Sequence, residues 1–595
     1  MTQDQIIVTL VIFFLIVSLY KNLLGPGFTF IIGISVLGLF GILTPGEMLH
    51  GFANEQLAVI LLLLLIGEII RKSTLIDNLF EHFFKRTFSY RKFIFKLIFP
   101  VSGLSAVINN TPLVAIIMPY VHNWGRRNGI PPSKLLIPLS YAAILGGTTT
   151  LIGTSTNLVV NGMVAEQTIF PGFRALEIFD FTPVGLAMVV LGGMYLIFFS
   201  GRLLPEKADP IESIKTRSRE YIVEVKVGKG SRYHKKTIGE ARLRNLKGLF
   251  LVEIVRENKS ISPVTPQTVI FEDDFLIFAG NTDTIADMIE SNKTLQPSQL
   301  GMFARRDNTE LVEVVVSPNS GLIGKTVKDS NFRGRFDAAI LAVHRNGERI
   351  RGKIGEVVLN PGDLLLLITG EDFKNRIQDS KDFYLLNNIR SIKKMPRLQS
   401  LLIVGGLLVS ILLSALKLVP LFNSLLVFLV ILLLAKIASP KDIYKAINYN
   451  LILIIALSLA LGTAMVKTGI AEGVSHIFIN IFKPYGIVSL FLGIFIITNL
   501  LAAIITNIGA VAIIFPIAIS LASQLGANPK PFALLVAFAA AASFITPIGY
   551  QTNLMVYGPG GYNFKDFFKI GLPMTILFMI VTVVGLTLQF GLKIN

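Results

Sequence analysis

The chain is 595 residues long, 52% hydrophobic and only 16% charged, with a mean hydropathy of +0.64. Soluble globular proteins carry about 25% charged residues, so this composition reads as a polytopic helical membrane protein and excludes the disordered and secreted classes. The absence of cysteine excludes a disulfide framework, thiolate metal sites, iron–sulfur clusters and a cysteine nucleophile.

The six histidines, at 50, 82, 122, 234, 344 and 476, never fall at metal-ligand spacing. The net charge of +17 could suggest nucleic acid, but basic residues of a membrane protein collect on its cytoplasmic side, so no nucleic-acid partner is expected. Composition shifts sharply twice. Residues 1–205 form a first membrane repeat and 397–595 a second. Between them, 206–396 is a charged insert with short strand-like segments.

In the first half, apolar runs near 6–20, 27–42, 55–70, 135–158 and 180–200 approach the roughly 20 residues a helix needs to span a bilayer. The stretch 93–119 differs, because Pro100, Gly103, Asn109, Asn110 and Pro112 interrupt it. Pro112 lacks an amide donor and pushes Thr111 out of the α region, so this segment is expected to be a re-entrant helical hairpin. The second half repeats the plan, with runs near 399–416, 420–437, 449–466, 533–557 and 568–590 and a broken run at 486–518.

The halves also match residue by residue. "VINNTPLVAIIMP" (107–119) aligns with "IITNIGAVAIIFP" (504–516), and "GTSTNLVVNG" (153–162) with "GYQTNLMVYG" (549–558), at offsets of 397 and 396. "GEIIRKSTLID" (67–77) aligns loosely with "GTAMVKTGIAE" (462–472), so the chain is internally duplicated. Arg71, Lys72, Lys85, Arg86, Arg91, Lys92 and Lys96 place the connector after the third span in the cytoplasm. Its counterpart at 467–485 holds only Lys467 and Lys483, as expected of an outward-facing loop. Five spans and a hairpin per half is an odd count, which gives two inverted repeats, an architecture of secondary transporters, and leaves the insert cytoplasmic.

Amides and hydroxyls at bilayer depth face protein or a wet cavity. Two kinds of segment carry them: the hairpin tips at Asn109-Asn110-Thr111 and Thr506-Asn507, and the breaks at Gly153–Asn157 and Gly549–Asn553. Free N–H groups at a helix break can meet an anion, and free carbonyls can ligate Na⁺. The plainer alternative is that Asn, Thr and Gly glue helices together; four breaks paired by duplication argue for a site.

At these residues the chain resembles the divalent-anion/sodium symporter family, whose members carry sulfate or di- and tricarboxylates. The tips resemble that family's Ser-Asn-Thr motifs, and "GGTTTLIGTSTNLV" (146–159) and "TPIGYQTNLMVYGPGGY" (546–562) resemble its paired downstream signatures. The resemblance implies that Asn109, Asn110, Thr111, Thr506 and Asn507, with Thr156, Asn157, Thr552 and Asn553, contact the substrate. It implies that Ser105, Asn109, Asn110, Gly153, Asn507 and Gly549 hold Na⁺. It also implies an elevator movement, a homodimer and a plasma (inner) membrane location.

The sequence departs from the family pattern where Asn109 and Thr506 replace the tips' serines and Ile508 replaces the second tip's threonine. One hydroxyl fewer argues against a dicarboxylate gripped at both ends and for a compact oxyanion, most simply sulfate, with a di- or tricarboxylate as the alternative. No Lys or Arg lies in the paired motifs, so co-bound cations and helix termini must balance the anion. Glu68, three residues before Arg71, reads as an interfacial anchor more readily than as a proton relay.

The insert is itself duplicated at an offset of 89: "VEVKV" (223–227) pairs with "VEVVV" (312–316), Arg256 with Arg345 and Asp274 with Asp363. Alternating polarity in the early and late strands, with a loop and helix between, predicts two small α/β modules. They resemble TrkA C-terminal (RCK-C) domains over 210–297 and 300–385, with Lys235 and Glu272 standing where the second copy has Gly324 and Gly362. That resemblance implies dimerisation and a regulatory ligand of nucleotide type, which nothing in the residues identifies. Gly324-Lys325-Thr326 is not a phosphate-binding loop, because position 319 is Asn, so ATP hydrolysis has no support and no enzyme is expected. An RCK-C-gated channel would need a filter such as TVGYG, and an antiporter an acid at the breaks; neither is present.

Overall fold

A computed structural model describes every residue except 1, 22, 72–88, 174, 208–221, 244–248, 258, 262–263, 265–266, 281–294, 298–310, 346–347, 351–353, 371, 378–379, 387–396, 440–448 and 593–595. Lys72, Lys85 and Arg86 of the basic connector, and the starts of both expected insert modules (210–221 and 300–310), lie outside the described residues.

The first half runs through α1 (Gln3–Lys21), α2 (Pro26–Leu39), α3 (Pro45–His50), α4 (Glu55–Arg71), α5 (Tyr90–Ser105), α6 (Asn110–Arg127), α7 (Leu136–Gly147), α8 (Ser155–Glu166) and α9 (Thr182–Leu203). Among the described residues seven helices are long and apolar enough to cross a membrane, or eight if the pair bent by 41° at Asn54 counts as one broken span. The chain is therefore a predominantly helical, multi-pass membrane protein.

The hairpin break falls at residues 106–109, between α5 and α6. Thr111 is helical, contrary to the expectation, because Pro112 sits in the first turn of α6, where an amide hydrogen has no intrahelical acceptor to lose. The run 135–158 divides into α7 and α8 around residues 148–154.

After the insert come α12 (Arg397–Ala415), α13 (Leu421–Leu434), α14 (Tyr449–Lys467), α15 (Ile470–Phe482), α16 (Gly486–Ile504), α17 (Asn507–Gln524), α18 (Pro529–Ala541), α19 (Gln551–Tyr557) and α20 (Phe564–Gln589). The halves interlock rather than sit side by side. Helix α2 packs on α14 while α13 packs on α4, and α8 packs on α17 while α19 packs on α6. Leu401, Leu402, Leu408, Val409 and Leu412 stay exposed along α12, a surface that water would reject and a bilayer accepts.

The insert holds two antiparallel five-stranded sheets. Strands β1 (Ile222–Val227), β2 (Leu249–Arg256), β3 (Lys259–Ile261), β4 (Phe275–Gly280) and β5 (Leu295–Pro297) lie in the order β3-β2-β4-β1-β5. Strands β6 (Leu311–Val316), β7 (Ala338–Arg345), β8 (Glu348–Arg349), β9 (Leu364–Thr369) and β10 (Phe383–Leu385) repeat it as β8-β7-β9-β6-β10. The register repeats too: Ile222 faces Ala279 as Leu311 faces Ile368, and the β-bulge between Leu251 and Glu253 recurs between Ile340 and Ala342. Among the described residues of the insert the α-helices are two five-residue ones, α10 (Phe332–Phe336) and α11 (Phe373–Ile377), both in the second module. The strand pairing also moves one sequence correspondence: Asp273, not Glu272, stands opposite Gly362, and both adopt positive φ, 63° and 80°.

The second sheet touches the membrane helices directly. Val315, Leu364 and Leu386 join the core that the membrane helices share. Gly362 approaches so closely that a Cβ on it would lie 2.8 Å from the Leu554 carbonyl of α19, and one on Gly558 would lie 2.4 Å from the Gly362 carbonyl.

Candidate functional site

At the first tip the two asparagines face different surroundings. Asn109 caps α6, its Oδ1 accepting from the Thr111 amide at 3.4 Å, and it lines a largely apolar pocket with Ile60, Leu64, Leu407 and, from the first break, Ile152 and Ser155. Asn110 is buried, 1% exposed, and turns toward the breaks. Its Oδ1 accepts from the Ser105 hydroxyl, which also reaches the Ala143 carbonyl at 2.8 Å, and its Nδ2 donates to the Tyr550 hydroxyl at 2.7 Å. At the second tip Thr506 caps α17 by accepting from the Gly509 amide at 3.0 Å, and Asn507 Oδ1 accepts from Ser543 at 3.0 Å.

The two breaks are built alike. The Gly153 amide donates to Thr150 Oγ1 at 3.1 Å, and the Gly549 amide to Thr546 Oγ1 at 3.1 Å. Asn157 Nδ2 ties the first break by donating to the Thr150 carbonyl at 2.8 Å, and Asn553 Nδ2 ties the second through the Thr546 and Ser543 carbonyls, at 3.3 and 2.7 Å. Each hairpin is pinned to the helix before its break in the same way: Ser102 donates to the Ala142 carbonyl, and Asn499 to those of Ala539 and Ala542.

The first tip then meets the second break. Thr111 Oγ1 donates to Gln551 Oε1 at 3.0 Å, and the Tyr550 hydroxyl lies 3.0 Å from Thr154 Oγ1, the residue 396 positions earlier. Both tips therefore bear on the segment 543–551: Asn110 and Thr111 through Tyr550 and Gln551, and Asn507 through Ser543. The remaining expected residues are held in the protein interior. Thr156, Asn157, Thr552 and Asn553 are all 2% exposed or less, and Ser140 Oγ bridges Thr552 and Asn553 at 2.8 and 2.7 Å. Glu68 is half-buried on α4, away from the breaks in sequence.

Whether these groups suit a hard cation can be judged from the first break. A Cβ on Gly153 would lie 2.6 Å from the Gly147 carbonyl and 2.8 Å from the Ser105 carbonyl, so two carbonyl oxygens close on a hydrogen-sized gap. Asn157 Oδ1 is buried with no hydrogen-bond partner. Its counterpart in Asn553 has Ser140, whereas the position 397 residues after Ser140 is Ala537, which has no hydroxyl to offer. Two carbonyl oxygens crowded at the break, and a buried amide oxygen without a partner on the helix that follows it, are neutral donors that fit Na⁺ chemistry. No lysine, arginine or carboxylate belongs to this set, so anion attraction rests on amides, hydroxyls and the first turns of α6, α8 and α17.

Sequence reasoning missed Tyr550, Gln551, Ser543, Thr150 and Ser140. A signal existed for Thr150, since the offset of 396 pairs it with Thr546. Nothing in a linear sequence pairs Asn110 with a side chain 440 residues away.

A family model described as citrate transporter matches residues 9–499 and 485–593. The chain belongs to the citrate transporter family. A family relative of Chlamydomonas reinhardtii, provisionally named a sulfur deprivation response regulator, is 34% identical over 93% of this chain and 97% of its own length. An uncharacterized transporter of Synechocystis is 32% identical over 99% and 98% of the two chains. Sodium/sulfate cotransporter 1 of Chlamydomonas reinhardtii is 24% identical over 94% of this chain and 86% of that one. Membership makes the chain a membrane transporter of a small anion and not an enzyme.

Proposed function

We propose that the protein is a sodium-coupled symporter of a divalent oxyanion, with sulfate favoured over a di- or tricarboxylate. The supporting observation is the meeting of the first tip with the second break, where Asn110, Thr111, Tyr550 and Gln551 present neutral donors and no basic side chain. Relatives named sodium/sulfate cotransporters point the same way. The two halves are read as inverted repeats meeting at the site, and their interlocked packing supports that reading.

In this reading Asn110 and Asn507 hold the anion between the tips. Thr111 orients it, while burial of Ser105, Asn157 and Asn553 keeps the breaks rigid as water leaves. Ser105, Asn110, Gly153 and Asn157 would hold one sodium ion, and Asn507, Ser543 and Gly549 a second. Bound Na⁺ supplies the positive charge that the side chains lack. Because each ion raises affinity for the other by the same factor, coupling follows from linkage alone. An elevator movement carries the site across the plasma (inner) membrane. The insert lies in the cytoplasm as two RCK-C modules with a regulatory role, in a homodimer. The absence of a carboxylate among the site residues disfavours an antiporter.

The test is uptake of radiolabelled sulfate, succinate and citrate into proteoliposomes under an imposed sodium gradient. Asn110→Ala and Asn507→Ala each remove a hydrogen bond to a charged ligand, so transport at low anion concentration should fall by about 10- to 100-fold in either variant. Wild-type rates in both, with folding intact by size exclusion, would exclude the assignment.

A further inference from the structure

The two half-sites are not alike, and the inequality lies in two residues of the second break. The residues 396 positions before Tyr550 and Gln551 are Thr154 and Ser155, both small hydroxyls. A strictly two-fold site would have Thr154 reach Asn507 as Tyr550 reaches Asn110. Instead Asn507 Oδ1 is held by Ser543 of its own repeat, and Thr154 spends its hydroxyl on Tyr550. Likewise Gln551 faces Thr111, whereas Ile508, the equivalent of Thr111, offers no polar atom.

We propose that Tyr550 and Gln551 are the specificity-determining residues of the anion site, completing its first-tip side from across the repeat boundary. The proposal rests on the symport reading above. Its chemistry is direct. A linear dicarboxylate needs donors at two separated ends, and the second tip lacks the hydroxyl that would serve one of them. A tetrahedral oxyanion needs donors clustered on one side, which is what Asn110, Thr111, Thr154, Tyr550 and Gln551 provide. A phenol also reaches a ring's length further than the threonine hydroxyl it replaces, shortening the space left for a ligand. Tyr550 therefore acts twice, holding the Asn110 amide through its hydroxyl and setting ligand length through its ring.

Exchanging each residue for its repeat equivalent tests this. In proteoliposomes with an imposed sodium gradient, half-saturation and maximal rate are measured for sulfate and succinate in the wild type, Tyr550→Phe, Tyr550→Thr and Gln551→Ser. Tyr550→Phe keeps the ring and should raise half-saturation for sulfate by about tenfold, the effect of one lost charge-directed hydrogen bond, while still excluding succinate. Tyr550→Thr should shift the sulfate-to-succinate ratio toward succinate by about tenfold or more, and Gln551→Ser should weaken sulfate with little gain for succinate. Lower maximal rates at an unchanged ratio in all three variants would mean a merely structural role and would overturn the proposal. Wild-type uptake of neither anion would remove the symport reading itself, and this inference with it. Wild-type sulfate uptake with unaltered Tyr550→Phe and Tyr550→Thr kinetics would remove the inference alone.

Discussion

Arg345 and Asp363 form a bidentate pair, Nε and Nη2 donating to the two carboxylate oxygens at 2.7 and 2.8 Å, with the carboxylate only 1% exposed. Arg256 and Asp274 repeat the geometry at 2.8 and 2.9 Å. The hydrogen bond to Asp363 raises the pKa of Arg345, so its charge is secure at any working pH. Fork-shaped donors matched to a buried carboxylate resist substitution by lysine, which offers a point charge in place of a fork. Removing Asp363 costs its charge-assisted bonds, about 1.5–3 kcal/mol, while the partly exposed guanidinium keeps the Val358 carbonyl. Asp363→Ala should therefore open the second sheet while Asp363→Asn, which keeps one acceptor, opens it less. Hydrogen exchange of the Leu364–Thr369 amides reads the difference; equal protection in both variants would count against the pair as a structural anchor.

At the scale of elements, the offsets of 396, 397 and 89 residues carried most of the architecture. Paired residues at those offsets do the same work: Thr150 and Thr546 cap the breaks, and Arg256–Asp274 and Arg345–Asp363 tie strand to loop. Periodicity did not reveal that Asn109 and Asn110, adjacent in sequence, part at the tip, Asn109 toward a pocket lined by Leu407 and Ser155 and Asn110 toward Tyr550, because that depends on where α5 stops. It also did not reveal that Thr552 and Asn553 are spent on Ser140, a partner on the other repeat. The breaks make a sharper claim testable. Gly153→Ala would push a methyl group to within 2.6 and 2.8 Å of two backbone carbonyls, which cannot rotate away. The strain, of the order of 1–3 kcal/mol, falls on the segment that positions Asn110, so sodium-dependent uptake should be lost while the protein still inserts. Gly172→Ala, on an exposed loop with nothing within 4 Å, serves as the control and should transport as the wild type does.

At the scale of the whole molecule, the two insert modules share one topology but differ in what they touch. Only glycine at 362 allows the second module to press its turn against α19, the helix that begins at Gln551. In the first module Asp273 takes that place, with a side chain that pairs with Lys226 at 2.7 Å. A second link joins Arg126, at the end of α6, to the buried Glu313 at 3.7 Å. The second module thus touches two of the helices that start at the site, α6 and α19, so displacing it is expected to displace them. The chain's lack of cysteine gives a clean background for measuring this. With Arg126→Cys and Glu313→Cys introduced together, a short bis-maleimide should join the module to α6. Adding Gly558→Val, whose side chain would collide with the Gly362 carbonyl, should abolish that cross-link and lower uptake at once. Loss of the cross-link with undiminished uptake would mean that the module sits against the transport helices without acting on them.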